Sequence, residues 1–575
     1  MNTIYKNIGF TVLIVLFGLL ESCEILEPEA SNIHTMEDLQ ETVTHAEGIL
    51  LAAYNNLTVA HNNFPLAYGS DDAVTNDPAH TVKQVVAGGW TANTNPFGSW
   101  NTSYQSILYL NTFLENMDEV EWWWKDRKID SLYAKRLTGE AYGLRAWYYF
   151  DLLQAHAGRG TNGQLLGVPI VDHVLDASNP DDYQIPRASF NELVDFIISD
   201  CDRAIANLPA RYANSGEYSY DEAMGEQYTN RINGLAVRLI KTKTLLYAAS
   251  PAYTDGTYTY EHVAEEAAAI MDLNGGLSQV NFDNHSHIRF YNNQNVATSN
   301  AHPEVFWYSA RTNGNNWEAN NYPPSLYGSG RTNPTQDLVD AFPMLDGTPV
   351  TAVKRNSTNP YSGRDPRLSL YILYNGATIS RSGATITMNI REGSQDAGGG
   401  SDRNATLTGY YLRKFMNVSE VNLNPAVNSQ GTRYYTYARY TDVLLMFAEA
   451  ANQIAGPHEQ LHGYSANQVI NAIRDRAGIT TTAYVDGLNQ NEMEALIKNE
   501  RRLEMCFENQ RFWDLRRWMM VDDIKQPVSG VHVSPDGTTY SYVEVEDRNY
   551  HNYQLYGPIP FAETLKYDMV QNEGW

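Results

Sequence analysis

The sequence predicts a mainly α-helical fold of antiparallel helix pairs, because apolar residues recur with helical spacing in two parts of the chain. The first part spans residues 36–275, and the second begins at residue 437. Loops of varied length separate the periodic segments, as in a tetratricopeptide-like array, although no clean repeat of about 34 residues is present. Between the two parts, helical periodicity fades, and Asn, Gly, Pro, Ser and Thr dominate.

Apolar stripes predict the individual helices, and breaker residues predict their ends. Residues 36–60 carry a stripe that includes Val43 and Leu50, whereas Pro65 and Pro78 make residues 61–98 loop-like. Helices at 99–118 and 130–157 follow, and the second ends in a glycine-containing stretch at 158–163. Further helices are predicted at about 189–205, 229–250, 259–273, 437–455, 465–477 and 489–508, before an extended, turn-rich tail at 528–575.

Residues 276–436 are interpreted as a long, loop-rich insertion with a few short strands, such as 377–390. Loops of this length are usually functional or mobile. The predicted organisation is therefore a leader at 1–22, a tether at 23–35, an N-terminal helical region at 36–275 and a C-terminal region at 276–575. The last of these contains the insertion at 276–436.

The first residues have the pattern of a targeting segment. Lys6 supplies a positive charge, and residues 8–20 form an uncharged, mostly apolar stretch that is too short to span a bilayer, which needs about 20 residues. The sequence Leu20-Glu21-Ser22-Cys23 resembles the lipobox of bacterial lipoproteins, which implies lipid attachment at Cys23. Several acyl chains anchor a protein stably where one anchors it marginally. The alternative is an ordinary secretory signal followed by a chance cysteine.

The acidic balance of the chain excludes several kinds of partner. The formal net charge is −26 and the sequence pI is about 4.9, which argues against nucleic acid and against a basic membrane-binding face. Cys201 and Cys506 lie in helical patterns among apolar neighbours, so two buried thiols are favoured over a disulfide. No cysteine or histidine cluster has zinc-site spacing, and the phosphate-loop, His-Glu-x-x-His and Gly-x-Ser-x-Gly motifs are lacking. No cofactor or metal is predicted.

Several segments, in order along the chain, resemble the SusD/RagB family. The most similar block runs from Glu500 to Trp518 and reads ERRLEMCFENQRFWDLRRW. The helix ahead of 140–152 contributes Trp100, Tyr104, Ile107 and Asn111. The other matching segments are 140–152, 333–347, 365–368, 409–415, 439–450, 471–478, 558–560 and 572–575.

This resemblance implies both a fold and a function. Members of the family are outer-membrane surface lipoproteins of Bacteroidetes that bind glycans, or sometimes other nutrients, and form the lid of a TonB-dependent, SusC-like transporter. Their fold has four tetratricopeptide-like helix pairs and a loop-rich ligand face, and they are not enzymes. The acidic residues 24–30 resemble the surface-export signal of such lipoproteins. We therefore expect a lipid-anchored protein in the outer membrane that faces the cell exterior.

Two loops combine the residue types that a sugar site needs, namely flat aromatic rings for the C–H face and polar groups for the hydroxyls. The first loop offers Tyr68, Asp71, Asp72 and Trp90. Ordinary loop packing is the competing interpretation for each residue, and Asp71-Asp72 could also cap a turn or bind calcium, although calcium is not predicted. The second loop offers Arg311, Asn313, Asn315, Asn316, Trp317, Asn320, Tyr322, Tyr327 and Arg331.

Other functions remain open at this point. Glu500, Glu504 and Glu508 share a helix face, which would suit acid–base catalysis in a glycoside hydrolase, but ion pairing with neighbouring arginines such as Arg501 and Arg511 is favoured. Trp122-Trp123-Trp124 suits packing or transporter contact equally. A peptide or another non-sugar nutrient is an alternative ligand. The net charge mildly disfavours a polyanionic glycan, although Arg311 and Arg331 could reverse this locally.

Overall fold

The computed structural model describes residues 43–57, 65–123, 125–176, 178–280, 303–351, 358–398 and 402–575. The leader, the tether and Cys23 lie outside these residues, so the predicted lipid site is not part of the structure. Within the described residues, no helix combines the length and the apolar character that crossing a membrane requires.

Within the described ranges, eleven helices have seven residues or more, and ten of them carry the architecture and are numbered here in chain order. The bounds of α2 to α9 agree with the predicted helices to within a few residues, α1 lies inside the predicted stripe at 36–60, and α10 was not predicted. They are α1 (Val43–Asn55), α2 (Trp100–Asn116), α3 (Arg127–His156), α4 (Phe190–Asn207), α5 (Gly234–Ala249), α6 (Tyr260–Leu273), α7 (Tyr440–Ala455), α8 (Ala466–Arg476), α9 (Gln490–Met505) and α10 (Arg511–Arg517).

Local sequence signals explain where the helices begin. The Asp126 carboxylate accepts hydrogen bonds from the first backbone N–H groups of α3, which is the longest of them at 30 residues. Ser189 and Glu192 form a capping box at the start of α4, and Ser465 and Gln468 form another at α8. These caps satisfy backbone donors that have no partner inside the helix.

Successive helices pack side by side into one continuous array. Each helix from α1 to α7 contacts the next, and α7 then contacts both α8 and α9. The contact between α6 and α7 joins the two periodic parts of the chain across the whole insertion, which explains why helical periodicity resumes at residue 437. This arrangement confirms the predicted scaffold of packed helices.

Shorter helices lie between the helices of the array along the chain. One further seven-residue helix, Tyr218–Met224, lies between α4 and α5. Within residues that were predicted to be loop-like or extended, the structure has short helices at Pro65–Tyr68, Thr81–Gln84, Asn316–Asn321, Gln336–Ala341, Pro366–Tyr371 and Phe561–Thr564. Two more, Ala483–Asp486 and Val521–Lys525, lie in connections for which the sequence made no prediction.

The strands form two-stranded antiparallel pairs, and several of them tie the insertion to distant segments. Four pairs join the insertion to other segments or to itself at long range: Ala73–Thr75 with Thr332–Pro334, Val305–Tyr308 with Thr436–Arg439, Thr312–Gly314 with Gly431–Arg433, and Ile372–Leu373 with Tyr411–Leu412. Three pairs are local: Gly158–Arg159 with Leu165–Leu166, Thr378–Arg381 with Ala384–Thr387, and Val528–Val533 with Tyr540–Glu546.

The hydrophobic core extends without a break from the helix array into the insertion. Trp307, Trp317 and Tyr322 are buried in the same cluster as Leu144 of α3 and Leu444 of α7. The insertion is therefore loop-rich in secondary structure but supplies large core side chains. Cys201 and Cys506 are buried free thiols, as predicted.

Candidate ligand-binding cleft

A cavity of about 410 Å³, called here the central cleft, lies between α3, α5 and the junction of α9 and α10. The first turn of α2 and the strand Thr436–Arg439 complete its wall. Its volume falls within the range of about 300–1,000 Å³ that is typical of small-ligand sites. The aromatic residues that line it are Phe97, Trp147, Tyr148, Phe150, Tyr435, Tyr437 and Trp513.

One wall of the central cleft is an aromatic cluster built on a buried tryptophan. The rings of Trp147 and Tyr437 lie 5.3 Å and 4.5 Å from the ring of Trp307, which is fully buried. The ring of Tyr435 lies 5.1 Å from that of Tyr437. Because Trp147, Tyr435 and Tyr437 are only half-buried, they combine a fixed orientation with surface that a sugar ring can contact.

Four charged side chains of the central cleft, those of Lys243, Arg439, Asp442 and Glu508, are held by ion pairs. Lys243 Nζ lies 2.7 Å from Asp442 Oδ2, and Arg501 Nη1 lies 2.7 Å from Asp442 Oδ1. Burial alone would raise the pKa of Asp442, but attraction to Lys243 and Arg501 outweighs it and lowers that pKa. Asp442 therefore remains a paired, ionised carboxylate that positions Lys243.

Uncharged polar groups and one further carboxylate complete the lining. Gln154 donates a 2.6 Å hydrogen bond to the Tyr247 hydroxyl, and the hydroxyl of Ser103 donates to Asp151 at 3.5 Å. Burial raises the pKa of Asp151 to about 6. Aromatic rings beside amide, hydroxyl and carboxylate groups are what recognition of a sugar requires.

Sequence reasoning missed this cleft. Trp147 and Asp151 lie on a helix that was interpreted only as a packing element, and Tyr437 lies at the end of the insertion. Trp147 and Asp151 are four residues apart, which places them on one face of α3. This spacing was the only indication of the cleft in the sequence.

The first predicted loop packs inside the protein. The ring of Trp90 is 2% exposed and lies 5.0 Å from Phe97 and 4.9 Å from Trp575. Tyr68 is also buried, and its hydroxyl lies 2.9 Å from the hydroxyl of Thr332. Ligand contact by Trp90 and Tyr68 remains a prediction, but in this structure neighbouring side chains enclose both rings.

Asp71 and Asp72 join the first loop to α9 and α10. Arg511 Nη2 lies 2.7 Å from Asp71 Oδ2, while Arg502 Nη2 lies 3.1 Å from the same oxygen. Arg502 Nε also donates to Asp72 at 2.9 Å. Burial disfavours the charge on Asp71, but attraction to Arg502 and Arg511 outweighs it and lowers the pKa of Asp71.

Replacing Asp71 by asparagine is expected to lower the free energy of unfolding at pH 7 by about 2–4 kcal/mol, because Arg502 and Arg511 lose a mostly buried partner. Since the pKa of Asp71 is lower in the folded state, its contribution is present at neutral pH and is lost as the pH falls below the ordinary range of a carboxyl group. Urea unfolding of both proteins at pH 7 and pH 3 measures this difference, with the exposed Asp568→Asn as the control. If Asp71→Asn keeps the stability of the wild type but loses ligand binding, the result would instead support direct contact between Asp71 and the ligand.

The second predicted loop is divided between the core and the surface. Trp317 is 2% exposed and Tyr322 is fully buried, whereas Arg311, Asn316 and Tyr327 are exposed. Tyr327 is 57% exposed and has a φ of 66°, a left-handed conformation that costs energy in a residue with a side chain. Of the predicted aromatic residues, Tyr327 is therefore the one whose ring is available to a ligand.

The remaining polar residues of the second loop are held by other loops. Asn315 donates to Asn428 at 3.0 Å, and Arg331 donates to Asn76 at 3.2 Å. Both side chains are half-buried. Their ligand roles remain predictions.

Glu500, Glu504 and Glu508 form ion pairs, as the sequence favoured, but their partners are not the neighbouring arginines that were expected. The Glu500 carboxylate lies 2.9 Å from Arg367 and 3.0 Å from Arg474, and the Glu504 carboxylate lies 3.0 Å from Arg367 and 2.9 Å from Arg476. Glu508 pairs with Lys414 and Arg439, both at 2.7 Å. Arg367 and Lys414 belong to the insertion, whereas Arg474 and Arg476 belong to α8, so the side chains of α9 that face the core meet both segments. Arg501, Arg502, Arg511 and Arg517 instead pair with aspartates or with Glu449.

The tryptophan run next to α3 also packs. Trp122 is 3% exposed and lies 5.8 Å from Phe113, and Trp123 stacks on Tyr133 at 5.9 Å. Trp124 lies outside the described residues. Over the described part of the chain, no group of three or more His, Cys, Asp or Glu side chains is arranged to hold a metal ion.

Comparison with known proteins identifies the family. A family model described as "SusD family" matches residues 287–575, and a second, described as "Starch-binding associating with outer membrane", matches residues 25–220. The first model covers half of the chain. This protein therefore belongs to the SusD/RagB family, as its sequence motifs predicted.

Individual relatives support the same fold. SusD-like protein P38 of Formosa agariphila is 23% identical over 541 residues, covering 92% of this chain and 94% of that protein. A SusD-like protein from Bacteroides fragilis NCTC 9343 has a TM-score of 0.74 at 23% identity, covering 93% of this chain and 98% of its own. A laminarin-binding SusD-like protein has a TM-score of 0.58 at 20% identity, covering 92% and 99%. These structural similarities confirm the predicted mainly α-helical, SusD-like fold.

Proposed function

We propose that this protein captures an oligosaccharide or polysaccharide at the cell surface and delivers it to a partner TonB-dependent, SusC-like transporter in the outer membrane. The observation that carries the proposal is the central cleft, in which Trp147, Tyr435 and Tyr437 lie beside amide, hydroxyl and carboxylate groups. A ring with an apolar face and a rim of hydroxyls needs this combination of stacking and directional hydrogen bonds.

The similarities support a sugar as the ligand. One matching family model is described as starch-binding and as associating with the outer membrane, and one structural neighbour binds laminarin. A peptide would instead be recognised largely through its backbone, for example by pairing with an exposed strand edge. The rigid aromatic wall favours a glycan over a peptide.

The proposed location rests on the N-terminal sequence and on the family. The lipobox at Cys23 would attach lipid, and the acidic residues that follow would direct export to the outer face and act as a short tether. The family model that matches residues 25–220 is described as outer-membrane associating, which agrees with this placement. The lipid anchor would then hold the cleft near the transporter.

Affinity electrophoresis of the purified protein against laminarin, amylopectin, β-mannan, xylan and polygalacturonate tests the proposal directly. We expect at least one glycan to retard the protein, with no new reducing ends after prolonged incubation, because family members bind and do not cleave. Isothermal titration with a tryptic casein digest provides the peptide comparison. Binding only to peptides, or release of sugar products, would contradict the proposal.

A further inference from the structure

Three carboxylates line the central cleft, and among the described residues one of them, Asp151, has no cationic partner. Asp442 is neutralised by Lys243 and Arg501. Glu508 is neutralised by Lys414 and Arg439, each at 2.7 Å. The charge of Asp151 is therefore the uncompensated negative charge of the cleft wall.

The surroundings of Asp151 make this charge costly. The side chain is half-buried on α3, and the hydroxyl of Ser103 lies 3.5 Å from its carboxylate. Burial raises its pKa to about 6, with only serine hydroxyls acting in the opposite direction. A charge removed from water without a partner destabilises the free protein. Its position in a cavity, one helical turn from Trp147, points to a ligand that supplies the missing hydrogen bonds.

The chemistry of the Asp151 side chain limits what it can bind. An ionised carboxylate has no proton to donate and can only accept hydrogen bonds. Asp151 is therefore complementary to a ligand that is rich in donors, such as a polyhydroxylated ring.

We infer that Asp151 makes the central cleft selective for uncharged sugars, whose vicinal hydroxyls donate to its carboxylate, over sugars that carry carboxylate or sulfate groups. This inference rests on the proposed function, because it names the class of glycan that the same cleft takes. An anionic substituent a few ångströms from Asp151 would meet repulsion in a poorly solvated site, where charges interact more strongly than in water.

Protonation of Asp151 at mildly acidic pH would remove the repulsion. Asp442 keeps its charge in that range, because Lys243 and Arg501 lower its pKa. The nearby hydroxyls of Tyr148 and Tyr435 stay neutral, because burial raises their pKa values. Discrimination against anionic sugars is therefore expected to weaken as the pH falls below about 6.

The test compares each neutral glycan with its own anionic form. Laminarin, amylose and β-mannan oligosaccharides are oxidised at C6 to uronates, and the methyl esters of these uronates serve as neutral controls of the same shape. Affinities are measured by isothermal titration at pH 7.5 and pH 5 for wild type, Asp151→Asn and Asp118→Asn. Asp118 is exposed and follows the C-terminal end of α2, whereas the cleft is lined by the first turn of that helix. Asp118→Asn therefore removes one negative charge, as Asp151→Asn does, but leaves the cleft unchanged.

For a neutral glycan that binds, we expect the wild type to bind it at least ~10-fold more tightly than its uronate form at pH 7.5. This ratio should fall below ~3-fold in Asp151→Asn, and in wild type at pH 5, while Asp118→Asn retains it. An unchanged ratio in folded Asp151→Asn would overturn the inference while leaving glycan binding intact. If Asp151→Asn does not fold, a wild-type ratio that is independent of pH overturns it equally. If none of the neutral glycans binds, the result would contradict both the proposed function and this inference.

Discussion

Replacing Arg367 by methionine is expected to lower the free energy of unfolding by about 3–5 kcal/mol, the effect typical of removing one partner from a buried ion pair. Arg367 lies 2.7 Å from Asp365, 2.9 Å from Glu500 and 3.0 Å from Glu504, and all four side chains are buried. The variant would leave three carboxylates in the interior with too few cations. Methionine has a similar length and is apolar, so the effect reports the lost charge rather than a cavity.

Urea unfolding at pH 7, followed by tryptophan fluorescence, measures this change. Arg403→Met is the matched control, because Arg403 is exposed, and its replacement should change the free energy of unfolding by less than about 0.5 kcal/mol. Equal stabilities of the two variants would show that the ion pairs of Arg367 with Glu500 and Glu504 do not hold the insertion against α9.

Replacing Tyr437 by alanine is expected to weaken glycan binding by about 2 kcal/mol, or roughly 30-fold in Kd. The ring of Tyr437 is fixed by Trp307 at 4.5 Å and by Tyr435 at 5.1 Å, and it remains half-buried in the wall of the central cleft. A preoriented ring loses little conformational entropy when a ligand binds, so its stacking energy appears almost fully in the affinity.

Tyr437→Phe is the matched control, because it retains the ring and removes only the hydroxyl. It should bind within about threefold of wild type, which corresponds to less than 1 kcal/mol. Isothermal titration with the tightest glycan from the electrophoresis panel supplies the numbers, and Tyr327→Ala is measured alongside. Loss of binding in Tyr327→Ala but not in Tyr437→Ala would transfer the ligand site to the exposed second loop.

The helices were predictable because their signals are local. Apolar periodicity located α2 to α9 to within a few residues, and caps such as Ser189 are readable from a few adjacent positions. The partners of Glu500 and Glu504 were not predictable in this way. Arg367 lies more than a hundred residues from both of them, and only the packing of the insertion on α9 brings the charges together.

The candidate site was less predictable than the fold for a similar reason. Trp90 and Trp317 occupy loops rich in polar residues, which suggested ligand contact, yet both rings fill the core because the loops fold back over the helices. The central cleft instead combines α3, α5, the α9–α10 junction and the strand at Thr436–Arg439. No single segment of the sequence carries that combination.

A crystal structure of the protein soaked with its tightest-binding neutral glycan tests the central claim most directly. The account predicts density for a sugar ring in the central cleft, stacked against Tyr437 or Trp147 and with hydroxyls within hydrogen-bond distance of Asp151. Density for the glycan at another surface, such as the exposed Tyr327, with none in the central cleft, would contradict it.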